Sequence, residues 1–198
     1  THGHEDHIGA VPYVIKDINA PIYATKLTMG LINNKLVEFG LDKKVSKHVV
    51  EPGDSVHLGK NFKVEFIRTN HSIADSVALA IHTPAGVIVH TGDFKVDYTP
   101  VGDNEPINLA KFAELGSKGV LALMADSTNV ERKGFTMSEK TVGETFDNIF
   151  AQGKRSRIII TTFASNVHRV QQIVNCAEKY KRKIAIQGRS MVNVIETA

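Results

Sequence analysis

The sequence predicts an α/β protein in two parts, a β-rich first part that carries a ligand loop and the start of a parallel α/β second part. Short β-branched or alternating runs fill residues 45–93, and from residue 120 strand and helix patterns alternate as βαβαβ, the succession of a parallel sheet with right-handed crossovers. Ahead of both, three imidazoles and two carboxylates crowd into residues 2–7.

That opening stretch, Thr1-His2-Gly3-His4-Glu5-Asp6-His7-Ile8-Gly9, has the residue density of a metal site. In an extended segment, side chains at i and i+2 share one side, so His2 and His4 can present two nitrogens to one ion. If the chain turns into a helix after His4, Asp6 and His7 swing to another side and can serve a second cation. Neutral imidazole and ionised carboxylate suit Zn²⁺ and related divalent ions. A solvated His-rich terminus or a tag remnant is the competing reading, but a tag is a run of His without interleaved Asp, Glu and Gly.

After Gly9, the apolar residues Val11, Val14, Ile15 and Ile18 recur at helical spacing over 10–18, with Pro12 tolerable in a first turn. Residues 21–24 read as a short strand. Thr25 can cap a helix running to about Phe39, with Leu27, Leu31, Leu36 and Val37 inward and Gly40 as its stop. Strands follow at 45–50, 55–58, 62–69, 76–83 and 87–91, punctuated by the turn residues Glu51-Pro52-Gly53-Asp54, Gly59-Lys60-Asn61 and Pro84-Ala85-Gly86. Beyond a Pro- and Gly-marked loop at 98–106, Asn108 can cap a helix to about Ser117. Residues 120–125 read as a short buried strand ending at Asp126, and Thr136-Met137-Ser138-Glu139 has the capping-box spacing that opens a helix to about Gln152. Strands at 157–162 and 183–187 flank a helix at 166–180, and a further helix starts at Ser190.

A chain of 198 residues can bury one sizeable core or two small ones, and 42% hydrophobic with 23% charged residues is ordinary for a globular protein. No apolar run approaches the roughly 18 to 20 residues that cross a bilayer, so a membrane partner is not expected. The single Cys176 excludes an internal disulfide framework and fits a reducing cytoplasm. A net charge of +3 permits a polyanionic partner without arguing for one.

The pattern His2-x-His4-x-Asp6-His7 resembles the signature of the metallo-β-lactamase fold superfamily, and the wording of residues 1–10 resembles its nucleic-acid-processing branch, the ribonuclease J family in particular. Asn70-His71-Ser72-Ile73-Ala74-Asp75-Ser76 and His90-Thr91-Gly92-Asp93-Phe94-Lys95 resemble ribonuclease J sequences in the same order. The fold this implies is a partial metallo-β-lactamase-type αββα sandwich over residues 1–137, followed by the start of an inserted parallel α/β β-CASP domain over 138–198. The resemblance also implies two divalent metal ions, with His2, His4 and His71 on one, Asp6, His7 and Asp93 on the other, and Asp93 shared. Zn²⁺ is the favoured ion, and Mn²⁺ accepts the same ligands. Taken without the resemblance, His71 reads equally as a loop His bonding backbone, and Asp93 as a capping Asp.

Asp6, beside such an ion pair, is a candidate to orient the attacking water or accept its proton as well as to bind metal. Met124-Ala125-Asp126-Ser127-Thr128-Asn129 resembles the β-CASP position where an acidic residue before Ser-Thr closes a strand of the metal domain. Asp126 matches it and is the second catalytic candidate; an ordinary strand-end cap is the competing reading. Thr161-Thr162-Phe163-Ala164-Ser165-Asn166 resembles a further ribonuclease J segment, running from strand into helix where free backbone N–H groups attract phosphate. Phe163 offers a face for a base to stack on, Ser165 and Asn166 lie at the helix start, and Lys95 can track a phosphate backbone. Core packing and helix capping compete with each of these readings. His48, His57, His82 and His90 lie on strands without comparable neighbours, and His168 sits inside a helix.

The resemblance implies a metal-dependent RNA phosphodiester hydrolase that cuts internally and also degrades from the 5′ end, in the cytoplasm, as a homo-oligomer at full length. A lactone or thioester hydrolase of the same fold and a non-catalytic metal-binding fragment stay open as alternatives. Because the chain starts inside its own metal motif, without a Met or a strand ahead of the loop, it reads as a central fragment, weak or inactive by itself.

Overall fold

The computed structural model describes residues 1–102, 105–153 and 155–198; within the loop expected at 98–106, Asp103 and Asn104 lie outside the described residues. His4 is extended at φ −70° and ψ 150°, and the chain then closes one helical turn, α1 (Glu5–Ile8), before α2 (Val11–Asp17). Ile8 drops into a cluster with Ala24 of β1 (Ile22–Ala24) and Met29, Ile32 and Leu36 of α3 (Lys26–Glu38). One apolar side chain thus pins the ligand turn to the core. The buried residues at 29, 32 and 36 set the inward stripe of α3, which leaves Val37, expected inward, 55% exposed on the far side of Leu36. Thr25 occupies the N-cap position without capping, because its hydroxyl donates to the Asp75 carbonyl at 2.9 Å and ties the helix start to a loop fifty residues on.

β1 pairs in parallel with β2 (Lys47–Val49) as a separate two-stranded sheet. The main sheet has the order β3 (Ser55–Leu58), β4 (Phe62–Arg68), β5 (Val77–Thr83), β6 (Gly86–His90), β7 (Ala122–Met124). Its pairings are antiparallel except β6 with β7. A parallel pair needs a crossover, supplied here by α4 (Leu109–Lys118), whose Asn108 caps it by accepting from Lys111 N at 3.0 Å. Strand alternation assigns the two faces: Ile67, Ala78, Ala80 and Val89 lie under Leu115 of α4, whereas Phe66 and Val77 pack with Val50 on the other. The strand expected buried at 120–125 forms, but all three residues of β7 are exposed, since among the described residues only β6 pairs with it.

In the second part, Phe146 and Phe150 of α5 (Lys140–Gln152) meet Cys176 and Ala177 of α6 (Val167–Lys179), and α7 (Arg189–Thr197) follows. The strands expected at 157–162 and 183–187 make no ladder among the described residues. Ile158 and Ile160 pack on the α5–α6 cluster while Ile159 is 81% exposed, so the alternation is satisfied against helices without a partner strand. The expected capping box at 136–139 also gives way: the Glu139 carboxylate accepts two bonds from Arg169, at 2.7 and 3.0 Å, instead of reaching back along its own helix. The α/β class stands, and no described helix is long and apolar enough to cross a membrane.

Candidate metal centre

Three loops converge at one rim of the main sheet. The opening residues run beside β5, where Val77 N donates to the Thr1 carbonyl at 3.0 Å. Gly3 packs closely under this path, where a Cβ would meet Leu31 Cδ1 at 2.6 Å and oblige that side chain to shift. At the end of β6, Gly92 takes φ +58°, and a Cβ on it would stand 2.9 Å from Thr1 Cβ and 3.1 Å from the Val77 carbonyl. Glycine alone lets the chain turn beneath Thr1 and aim Asp93 back at the histidines.

His4 Nδ1 lies 3.1 Å from His2 Nε2 and 3.1 Å from His71 Nε2. Asp93 Oδ2 is 3.9 Å from His2 Nε2 and 3.7 Å from His71 Nε2, while its Oδ1 is 3.3 Å from His7 Nε2. Asp6 Oδ2 stands 3.6 Å from that same His7 nitrogen. Two donor groups result, His2, His4, His71 and Asp93 in one and Asp6, His7 and Asp93 in the other, with the ligand atoms of each within 4.8 Å of one another. All six residues expected as ligands fall in these groups, and Asp93 belongs to both.

Burial pushes the His2 imidazole down to about 2, helped by the neighbouring His7, His71 and His4. Burial likewise lowers His4 and His71. These rings are therefore neutral at physiological pH, the form that binds metal. His4 Nδ1 faces two ring nitrogens; in either tautomer its one hydrogen-bonding position cannot serve both fully, whereas one cation can take all three nitrogens. The Thr1 hydroxyl lies 3.2 Å from His2 Nδ1 and 3.4 Å from His7 Nδ1, the far sides of both rings, leaving each Nε2 turned to the centre. A nitrogen and carboxylate donor set of this kind fits a divalent transition ion.

Asp126 sits beside this centre but in neither donor group. Its backbone N donates to Thr91 Oγ1 at 3.0 Å, and its Oδ1 accepts from Thr128 N at 2.9 Å and Thr128 Oγ1 at 2.6 Å. Burial works to raise its carboxyl, but the Thr128 bonds, then the Phe94 backbone N–H and the nearby His71, hold it below the usual carboxylate range. Lys95 and Asn166 line one small cavity of about 70 Å³ together with His71 and His168. Lys95 Nζ is 3.3 Å from Asp97, and the Asn166 side chain caps α6 by accepting from Arg169 N at 3.1 Å. Ser165 and Phe163 are not among that cavity's lining residues, and Phe163 is 81% exposed. Sequence reasoning missed the orienting Thr1 hydroxyl and passed over Asn70 as a mere flank of His71; a hydroxyl or amide next to a ligand His was the only available signal.

A mixed sheet whose rim gathers His and Asp into two donor groups around one carboxylate defines an α/β protein with a metal-binding centre at the loop end of its strands. The model of the metallo-beta-lactamase superfamily matches residues 1–112, and that of the ribonuclease J beta-CASP domain matches residues 155–198. The chain is 52% identical to "Ribonuclease J" of Synechocystis sp. over 199 residues, covering 100% of this chain and 31% of that protein. It is 45% identical to "Ribonuclease J" of Thermus thermophilus, covering 97% of this chain and 34% of the relative. It thus spans about a third of the length of these curated relatives. A crystal structure of a protein of unknown function from Enterococcus faecalis V583 shares the fold, with a TM-score of 0.64 at 21% identity over 89% of this chain and 43% of that one. The chain belongs to the metallo-beta-lactamase superfamily, and over its whole length it is similar to proteins named ribonuclease J. Divalent metal binding comes with that superfamily.

Proposed function

We propose that this chain carries the hydrolytic centre of an RNA phosphodiesterase that cuts internally and from the 5′ end. The observation that carries the reading is Asp93 standing in both donor groups, which provides for a pair of neighbouring cations. The name ribonuclease J on relatives of 45% and 52% identity supports RNA over a lactone or thioester. We assign His2, His4 and His71 to one ion and Asp6 and His7 to the other, with Asp93 between them. Zn²⁺ is our choice and Mn²⁺ the alternative. When bound, the two ions supply Lewis acidity that acidifies water and offsets charge on the phosphoryl oxygens.

The residues of the chain do the rest. Asp6, whose side chain is 79% exposed, can orient the attacking water and take its proton on a carboxylate oxygen. Asp126, held ionised by Thr128, stands near enough to His71 to interact with it electrostatically and to orient groups beside the centre. Lys95 and Asn166 contribute phosphate contacts near the start of α6, Ser165 adds a hydroxyl there, and the exposed ring of Phe163 stacks a base. We place the boundary between the metal domain and the β-CASP domain at 137/138. From the family resemblance we infer a cytoplasmic homo-oligomer at full length. Incubating the full-length protein with 5′-monophosphorylated RNA and with a simple lactone, each with and without chelator, tests the reading. Chelator-sensitive loss of RNA with inert lactone is expected; lactone turnover, or no turnover of either, overturns it.

A further inference from the structure

We propose that Asn70 is a positioning residue that sets the distance between the His71 loop and the Asp93 loop, and so the geometry of the metal pair. This rests on the metal-centre reading above. Asn70 is 8% exposed and belongs to neither donor group, yet it is bonded on three sides. Its carbonyl accepts from Lys95 N at 2.8 Å, an isolated antiparallel bridge one residue from His71 and two from Asp93. Its side-chain Oδ1 accepts from Ile107 N at 2.8 Å, and its Nδ2 donates to the Glu105 carbonyl at 3.0 Å. The segment so held leads directly into α4, where Asn108 N donates to the Arg68 carbonyl at 3.1 Å on the strand that delivers His71.

The partners fix which residue can stand here. One side must accept from a buried N–H and the other must donate to a carbonyl, on a short planar group. Aspartate accepts but cannot donate, and its second oxygen would face the Glu105 carbonyl. Alanine does neither and leaves the Ile107 N–H unpaired at a buried position that water does not reach. Glutamine is one methylene too long. The main-chain bridge to Lys95 is available to any residue, but either loss unties Asn70 from the 105–107 segment that backs it, and the separation of the two ligand loops is then held by that one bond alone.

The test is Co²⁺ titration of the full-length protein, read by its visible absorption band as well as by affinity. Asn70→Ala is expected to weaken Co²⁺ binding about 10- to 100-fold, the range for residues that orient ligands, and to alter the band. Asn70→Asp, which keeps the bond from Ile107, is expected to lose less. Phe150→Ala, which opens a cavity in the α5–α6 cluster, serves as the control for general destabilisation and is expected to lower the melting temperature with Co²⁺ affinity within twofold. An unchanged affinity and band in Asn70→Ala, or an equal loss in Phe150→Ala, overturns the role. A wild-type protein that takes up no Co²⁺ overturns the metal centre itself, and this role with it.

Discussion

Asp93 turns Oδ1 to His7 Nε2 at 3.3 Å and keeps Oδ2 on the opposite side, toward His2 and His71. One carboxylate therefore serves both donor groups, and removing it is not equivalent to removing a ligand of one. Asp93→Ala is expected to lower bound metal from two ions per chain to at most one and to cut turnover at least about a hundredfold, beyond what loss of an orienting group costs. Elemental analysis after gel filtration checks the stoichiometry. Retention of two ions would remove the bridging role.

Gly92 shapes the turn that delivers this carboxylate. At φ +58° an alanine is strained, and its Cβ would press on Thr1 Cβ and the Val77 carbonyl. Gly92→Ala is expected to destabilise the fold by about 1 to 3 kcal/mol, the cost of a strained backbone residue, with metal affinity falling alongside because Thr1 precedes His2. Urea denaturation checks it, and a variant as stable as the parent would show that the turn relaxes.

The His and Asp pattern was readable because the chemistry is local: His2, His4, Asp6 and His7 lie within one extended turn and one helical turn. His71 and Asp93 needed the resemblance, since spacing cannot tell a loop ligand from a cap. Strand alternation located β3 to β6 within a residue or two, because each has one neighbour at a tight turn. It misjudges 157–162, where Ile158 and Ile160 find a helical surface and no ladder forms among the described residues. Local spacing marks Thr25 and Glu139 as capping residues, but distant partners, Asp75 and Arg169, claim their side chains. Such competition between local and tertiary bonds is invisible in a window of four residues.

Glu65 gives the fold a pH dependence separate from the metal centre. Burial favours its neutral form, yet bonds from Lys111 at 2.7 Å and Lys63 at 2.8 Å hold the carboxyl down at about 2 against an ordinary 4.5. Its folded value lies below its unfolded one, so its contribution is complete above about pH 4.5 and is lost as pH falls toward 2. The shift corresponds to about 3 kcal/mol, reduced to about 1 to 2 kcal/mol because the lysines are partly solvated. Urea unfolding at pH 6 and pH 3 is expected to show that much more acid loss in the parent than in Glu65→Gln. Equal slopes would mean the pair is fully screened.

Asp126 poses the sharpest choice between a structural and a chemical role. Its Oδ1 already takes two bonds from Thr128, which is all that a strand-end cap requires. Asparagine can keep those bonds while losing the charge that His71 feels. Asp126→Asn is therefore expected to melt within a few degrees of the parent and to hold its metal, yet to lose about 10²- to 10⁴-fold in kcat on RNA, the range for proton transfer or its orientation, with KM little moved. If kcat survives while the melting temperature falls, the carboxylate is a cap and the proton must be managed by Asp6 alone. Because the substitution removes the charge while keeping the two Thr128 bonds, at the cost of the weaker approach of the Phe94 N–H, the kcat and the melting curve together decide which of the two the residue was built for.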